Sequence, residues 1–474
     1  MASSSKRKLD EWTDWTDELQ SAAEHMAKHR RTASGSDFST YDIRHAFDMP
    51  SSAGGAAQAP QLCPDPPTTA PPPQHQQQQP SLNEINNTSD LRELLDFSGL
   101  DSSQAISGRF ERVAAELLHN HRIEIGRGGK AEQLELLEVE FYLYKSGAHE
   151  DPFTHASPEQ SQSGRWYFHR PPRRSNDPAA AAPAGYRGGT RKGLDLTIGQ
   201  PPPPPPTASL VSRYFPASHS NTGTSANPGT REPATILRGG VLLRSARRVS
   251  DGKVITGPSL LVDEILRLSG ASEITELVAV NWDSDIAAFP PAADLPYASE
   301  HALSQSRVST MWLRRIHNSP PGTSCPPSSP SETHPRIFRS PRIGLDISHP
   351  SIPSGADALA HPRVAFVARP YRFFVRPRLL TANGRGQTVL GVHDALVARG
   401  YCADDAELVG ELVRLAGVQS PTAGKYLGAL RGGERDGELG EWIGPKGKTV
   451  LSSVTAWLRM MGTLRKLGIA SAPS

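Results

Sequence analysis

LLEVEFYLY, residues 136–144, is the stretch on which the fold turns. From Glu138 onward it alternates. Val139, Phe141 and Leu143 suit a core, and Glu138 and Glu140 fall on the opposite side. Such a period of two predicts a half-buried strand, running from about Leu134 to Tyr144. Two carboxylates on one side of a strand have two readings. They are solvated charges on an edge, or one of them borders a partly apolar pocket that tunes it to activate water. Taken alone, the segment reads first as the solvated edge.

Working outward, Asp90 precedes LREL as a cap, and SGRFERVAAELLHNH places Phe110, Val113, Ala114, Leu117 and Leu118 on one helical face. Ile123 and Ile125 alternate before the turn GRGGK. Downstream, RWYFH (165–169), KGLDLTIG (192–199), GGVLLRSARRV (239–249), PRIGLDI (341–347) and PYRFFVRPRLL (370–380) read as strands. TGPSLLVDEILRLSG reads as a helix with Gly-Pro at its start and Gly270 as its stop. Mixed elements without strict alternation predict an α+β fold: one domain, 89–382, with a curved antiparallel or mixed sheet and flanking helices. Low-complexity inserts near 171–184, 200–235 and 317–335 interrupt it. Residues 387–469 read as a small helical module of unknown role, with Trp442 and Trp457 in its core and Lys446, Lys448, Arg459, Arg465 and Lys466 as an auxiliary DNA or protein surface.

The 474 residues include 43 prolines and 41 glycines, and only 36% are apolar, so part of the chain is expected to be unstructured. That part is 1–88, with a short helical pattern from Asp10 to Arg30 and a Pro/Gln-rich linker at 51–88. The clusters Lys6-Arg7-Lys8 and Lys28-His29-Arg30-Arg31 read as a bipartite nuclear-import signal or as solvated charge, so the expected compartment is the nucleus, with the cytoplasm as the alternative. A net charge of +2 gives no global nucleic-acid signature. Cys63, Cys325 and Cys402 are scattered, which argues against a disulfide scaffold or a structural zinc site. No apolar run reaches membrane-spanning length, so no membrane partner is expected.

The order of the segments carries a resemblance. Glu-X-Glu-X-Tyr on a strand is followed by Asp151 and His155, RWYF, KGLD, GGVLLRSARR, GPSLLVDEILRL, PRIGL and RPYRFFV. This succession resembles the alkyladenine (3-methyladenine, or methylpurine) DNA glycosylase family over about residues 109–378. That family has an ETEAY-type strand, an Asp/His loop, a YVY-type strand, an Asn-bearing strand, an LLRA-type strand, a Gly-Pro helix start and a PRIG…PWRFYV-type ending. The resemblance implies a monofunctional DNA N-glycosylase in base excision repair, with DNA as partner and no metal or organic cofactor. Glu140 would deprotonate the attacking water, and Arg244 would sit beside it and hold the glutamate ionised. Tyr142 and His155 would wall the slot for the everted base, Phe168 would take the third aromatic position, and Asp195 would stand where the family has an asparagine.

Such a site is physically coherent. Lesions leave the stack cheaply, aromatic faces hold the flat ring, and a carboxylate stabilises an oxocarbenium-like sugar while water attacks. It requires Glu140 to border a cavity. The chain departs from the family at Asp195, in the loop between Glu140 and His155, and where the wedge hairpin belongs. There Tyr186 or Arg187 would substitute, with Arg191 and Lys192 as backbone contacts, and Arg372 would lie in a basic groove along 369–378. Two alternatives stay open: a catalytically silent nucleic-acid-binding or nuclear scaffold protein on the same fold, and an N-glycosidic hydrolase acting on RNA or nucleosides. Protein partners would bind through the terminal regions, and a monomer is expected.

Overall fold

The computed structural model of the protein describes residues 90–126, 131–155, 157–171, 185–201, 236–290, 310–316, 334–380, 383–402 and 406–469. The basic clusters of the N-terminus, the linker at 51–88 and nearly all of the three inserts lie outside the described residues.

The predicted α+β class is what the chain adopts. One antiparallel sheet runs β4 (Trp166–Phe168), β5 (Leu194–Ile198), β6 (Leu237–Arg248), β2 (Glu132–Lys145), β1 (His121–Ile125) and β8 (Met311–Arg315). The long strand β2 pairs with β6 along one edge. Its other edge is shared by β1, by β10 (Arg372–Phe374) and by β3 (His149–Glu150). β7 (Val254–Thr256) adds to β6, and β9 (Phe338–Ser340) adds to β10.

The core forms where the alternation says it should. Leu137, Val139, Phe141 and Leu143 are buried with Val241, Leu243, Leu194 and Leu196 on one side of the sheet. Helix α1 (Leu91–Leu94) is capped by Asp90, and α2 (Ser103–Ala115) by Ser102. α2 covers this core, stacking Phe110 on Phe141 at 4.6 Å between centroids and setting it edge-on to Tyr371 at 5.0 Å. Helix α3 (Pro258–Ser269) starts at Pro258 behind Gly257 and ends at Gly270, whose φ of 66° is the left-handed cap that glycine adopts without strain.

Two expected strands are corrected. Only Phe338–Ser340 is extended near PRIGLDI, and 341–347 is turn and coil. Pro341 has no N–H to give a ladder, Gly344 turns the chain at φ 84°, and the Ile343 N–H is spent on a side chain. Likewise 370–380 keeps only Arg372–Phe374 as strand before a 3₁₀ turn at Pro377–Leu379.

The C-terminal helices are not an appendage. They belong to the same compact unit as the sheet. Helix α4 (Pro362–Val367) precedes β10, and α5 (Arg385–Val397) follows it against β9. α5 lies so close that a Cβ on Gly391 would sit 2.4 Å from the Arg339 carbonyl oxygen. Helices α6 (Ala406–Ala416), α7 (Ser420–Asp436) and α8 (Val454–Lys466) pack behind it. Trp442 and Trp457 are core, as expected. Arg465 is not a surface cation, because it donates to both oxygens of Asp394 on α5 at 2.6 Å.

Candidate active site

Two irregularities in the β2–β6 ladder build the site. The register runs Leu136↔Ala246, Glu138↔Ser245, Val139↔Leu243 and Glu140↔Leu242, so Leu137 is extra on β2 and Arg244 is extra on β6. The two offsets cancel. Between them they deliver an additional side chain, Arg244, to the glutamate side of the sheet. Arg244 donates from Nε to Glu138 Oε1 and from Nη1 to Glu140 Oε2, each at 3.1 Å.

Glu138 is the centre of a saturated ion cluster. Arg372, its neighbour from β10, donates to it at 2.6 Å, and Ser245 Oγ donates at 2.5 Å. Burial works against this carboxylate's charge, but Arg372 and Arg244 outweigh burial and hold it below its ordinary range. The same balance raises Arg244: burial opposes its charge, and Glu140 and Glu138 override it. Arg372 is 0% exposed and also donates to Ser340 and Thr388 at 3.0 Å. This corrects its expected place in a DNA backbone groove, because a guanidinium closed within the core meets no phosphate.

Glu140 is 0% exposed. It accepts from the Ile343 N–H at 2.7 Å, from the Tyr142 hydroxyl at 2.9 Å and from Arg244. The expected open carboxylate beside a cavity is therefore not what the chain presents: this is a closed site. The recess beside the ion cluster is lined by Glu138, Arg244, Thr256 and Asn383, not by Glu140, and admits no water molecule. Tyr142 is half-buried; burial, then the carboxylate beside it, pushes its phenol up. Over its ring, at 4.5 Å, lies the Arg342 guanidinium, which grips buried Asp151 with two hydrogen bonds and donates to the Phe141 carbonyl. Arg342 and Ile343 come from PRIG. Sequence reasoning read that motif as strand and missed its part in the site.

Directly paired residues of a sheet share a side. A row across the sheet thus carries Tyr167, Asp195, Leu242, Glu140 and Arg372 on one face. The next row carries Thr197, Gly240 and Tyr142. Glu140 and Asp195 are two strands apart, roughly 10 Å along the row.

The same register corrects Phe168. It points into the core beside Trp282, with centroids 6.0 Å apart, and is no pocket wall. The aromatic residue on the site face is Tyr167, whose phenol burial raises to about 12. His169, two residues on, donates from Nε2 to Asp195 Oδ1 at 2.8 Å. His155 lies against His169, with centroids 4.6 Å apart, at the Asp195 end of the row. Burial, then His169 and Arg187, push the His155 imidazole well down. Glu140, Arg244 and Tyr142 thus converge, and His155 and Asp195 share the face with them without touching them.

The basic glycine stretch flanks the His169 end. The Arg187 N–H bonds the His169 carbonyl, Arg170 stacks over the Tyr186 ring at 4.2 Å, and Lys192 pairs with Asp263. Arg191 is exposed in a short 3₁₀ turn, Gly189–Arg191. Tyr186 packs partly against the core, edge-on to Phe168, so the wedge role expected of it has no projecting side chain behind it.

Among the described residues no group of three or more His, Cys, Asp or Glu is placed to hold a metal, and no helix is long and apolar enough to cross a membrane. No family model matches the chain. Over 163 residues it is 31% identical to an uncharacterized protein of Acanthamoeba polyphaga mimivirus, a match covering 34% of this chain. The chain spans 59% of that relative's length.

Proposed function

We propose that the protein is an N-glycosylase-like hydrolase that takes an everted, damaged base onto this sheet face and cleaves its bond to the sugar. The observation that carries the reading is the Tyr142 hydroxyl. It sits 2.9 Å from a Glu140 oxygen that also takes Arg244, the place a hydrolytic water would occupy. When the Tyr142 ring moves onto a bound base, its hydroxyl leaves and water enters. Glu140 takes a proton from the water as its oxygen attacks the sugar carbon, and the electron pair of the breaking C–N bond departs with the base. Buried ion pairs rarely stabilise a fold better than apolar packing does, so a costly Glu–Arg–Tyr cluster fits a chemical role.

One observation favours the second reading, a catalytically silent nucleic-acid-binding or scaffold protein. Glu140 is fully buried and all of its contacts are made by the chain itself. The deciding experiment incubates full-length protein with alkylated duplex DNA, alkylated single strands and nucleosides, and reveals abasic sites with alkali. Wild type is expected to release base and Glu140→Gln to lose about 10²–10⁴-fold of that activity. Equal release by both proteins ends the hydrolase reading, and salt-dependent DNA binding that persists in Glu140→Gln then identifies the silent one.

A further inference from the structure

The Asp195 end of the face differs from its Glu140 end in chemical completeness. Asp195 and Gln160 are each 1% exposed. Gln160 Nε2 donates to Asp195 Oδ2 at 2.8 Å, which fixes the orientation of the amide and leaves Gln160 Oε1 buried without a partner. Thr154 Oγ1, beside His155, is also buried without a partner. A buried acceptor left unpaired costs about 1–3 kcal/mol. The cradle for this pair is Gly240: a Cβ there would lie 2.8 Å from Asp195 Oδ2 and 3.0 Å from Gln160 Nε2. The carboxylate and amide therefore lean over β6 in the row that Tyr142 occupies, not out to solvent.

We propose that Asp195 and the Gln160 amide oxygen form an acceptor array that reads the donor edge of a bound purine. A carboxylate and an amide oxygen only accept. The ligand they fit presents adjacent donors, a ring N–H next to an exocyclic amino group, which is the guanine edge. An adenine edge sets a ring acceptor against them, and a hypoxanthine edge lacks the amino group. A site built to bond a donor rejects the analogue lacking it far more strongly than a change of size would. This deepens the proposed function and rests on an everted base occupying the face. Asp195 and Gln160 are specificity residues, separate from the hydrolytic Glu140.

The test measures equilibrium binding, not catalysis. Full-length wild-type protein and Glu140→Gln are titrated with 7-methylguanine and with 7-methylhypoxanthine, which differ in the amino group, and tryptophan fluorescence is read. Both proteins are expected to bind 7-methylguanine about tenfold or more tightly over its partner. Asp195→Asn, which supplies a donor, and Gln160→Met, which removes the acceptor, should each reduce the preference to about threefold or less. Equal binding of the two bases by wild type, binding of neither, or an undiminished preference in both variants overturns the proposal. Loss of base release with the preference intact would overturn only the hydrolase.

Discussion

The two ends of one sheet face solve opposite problems. At the Glu138–Glu140 end every carboxylate is answered: Glu138 by Arg244, Arg372 and Ser245, and Glu140 by Arg244, Tyr142 and the Ile343 backbone. At the Asp195 end two buried acceptors have no donor and His155 is half-buried. Charge by itself does not distinguish a structural site from a binding site here, because both ends are charged and buried. Hydrogen-bond completeness does. A satisfied cluster holds elements together, and an unsatisfied one accommodates a ligand.

The contrast breaks most sharply at Glu138. Glu138→Ala leaves Arg372 and Arg244 without their shared counter-ion and should cost about 3–5 kcal/mol in urea unfolding. A loss within about 1 kcal/mol would mean the cluster does not hold the sheet. The sign of its pH dependence follows from the depressed carboxyl. Its contribution is present above the ordinary glutamate range and is lost as pH falls through the lowered value.

Tyr142→Phe tests the closed state more gently. It keeps the ring but removes a hydrogen bond to a carboxylate, an interaction worth about 1.5–3 kcal/mol. Base release should be maintained or rise by up to about tenfold while stability falls modestly. A large loss of release would give the hydroxyl a direct role and end the water-substitution reading.

The smallest effect belongs to His155. Its lowered pKa means the folded protein prefers the neutral ring. The associated stability is complete above about pH 6.5 and is lost as pH falls below it toward the depressed value. His155→Phe should flatten the stability–pH slope there by at most about 1.4 kcal/mol per pH unit. An unchanged slope would show that His155 does not titrate with unfolding.

Much of this was legible in the sequence. The alternation of LLEVEFYLY gave the strand and its sidedness, and the GP…G punctuation gave α3. What failed did so for physical reasons. RWYF is aromatic at three consecutive positions, so alternation carries no phase, and the pairing of Tyr167 with Asp195 supplies it. Helix α7 escaped notice because Gly424, Gly428, Gly432 and Gly433 read as breakers. Gly433 instead permits a close crossing with α8, where a Cβ would fall 2.0 Å from the Arg459 carbonyl oxygen. β8, MWLRR, is too short to signal itself. Arg372 looked like one of several surface cations because its counter-ion, Glu138, is 234 residues away along the chain.

The paired offsets at Leu137 and Arg244 carry an implication for engineering. Arg244 reaches the glutamates because β6 is one residue longer there, so point substitution on a regular ladder could not transplant it. Deleting either extra residue alone would shift one strand against the other and turn its core side chains outward. Only removing both together would restore a plain hairpin, with the arginine gone from the pair.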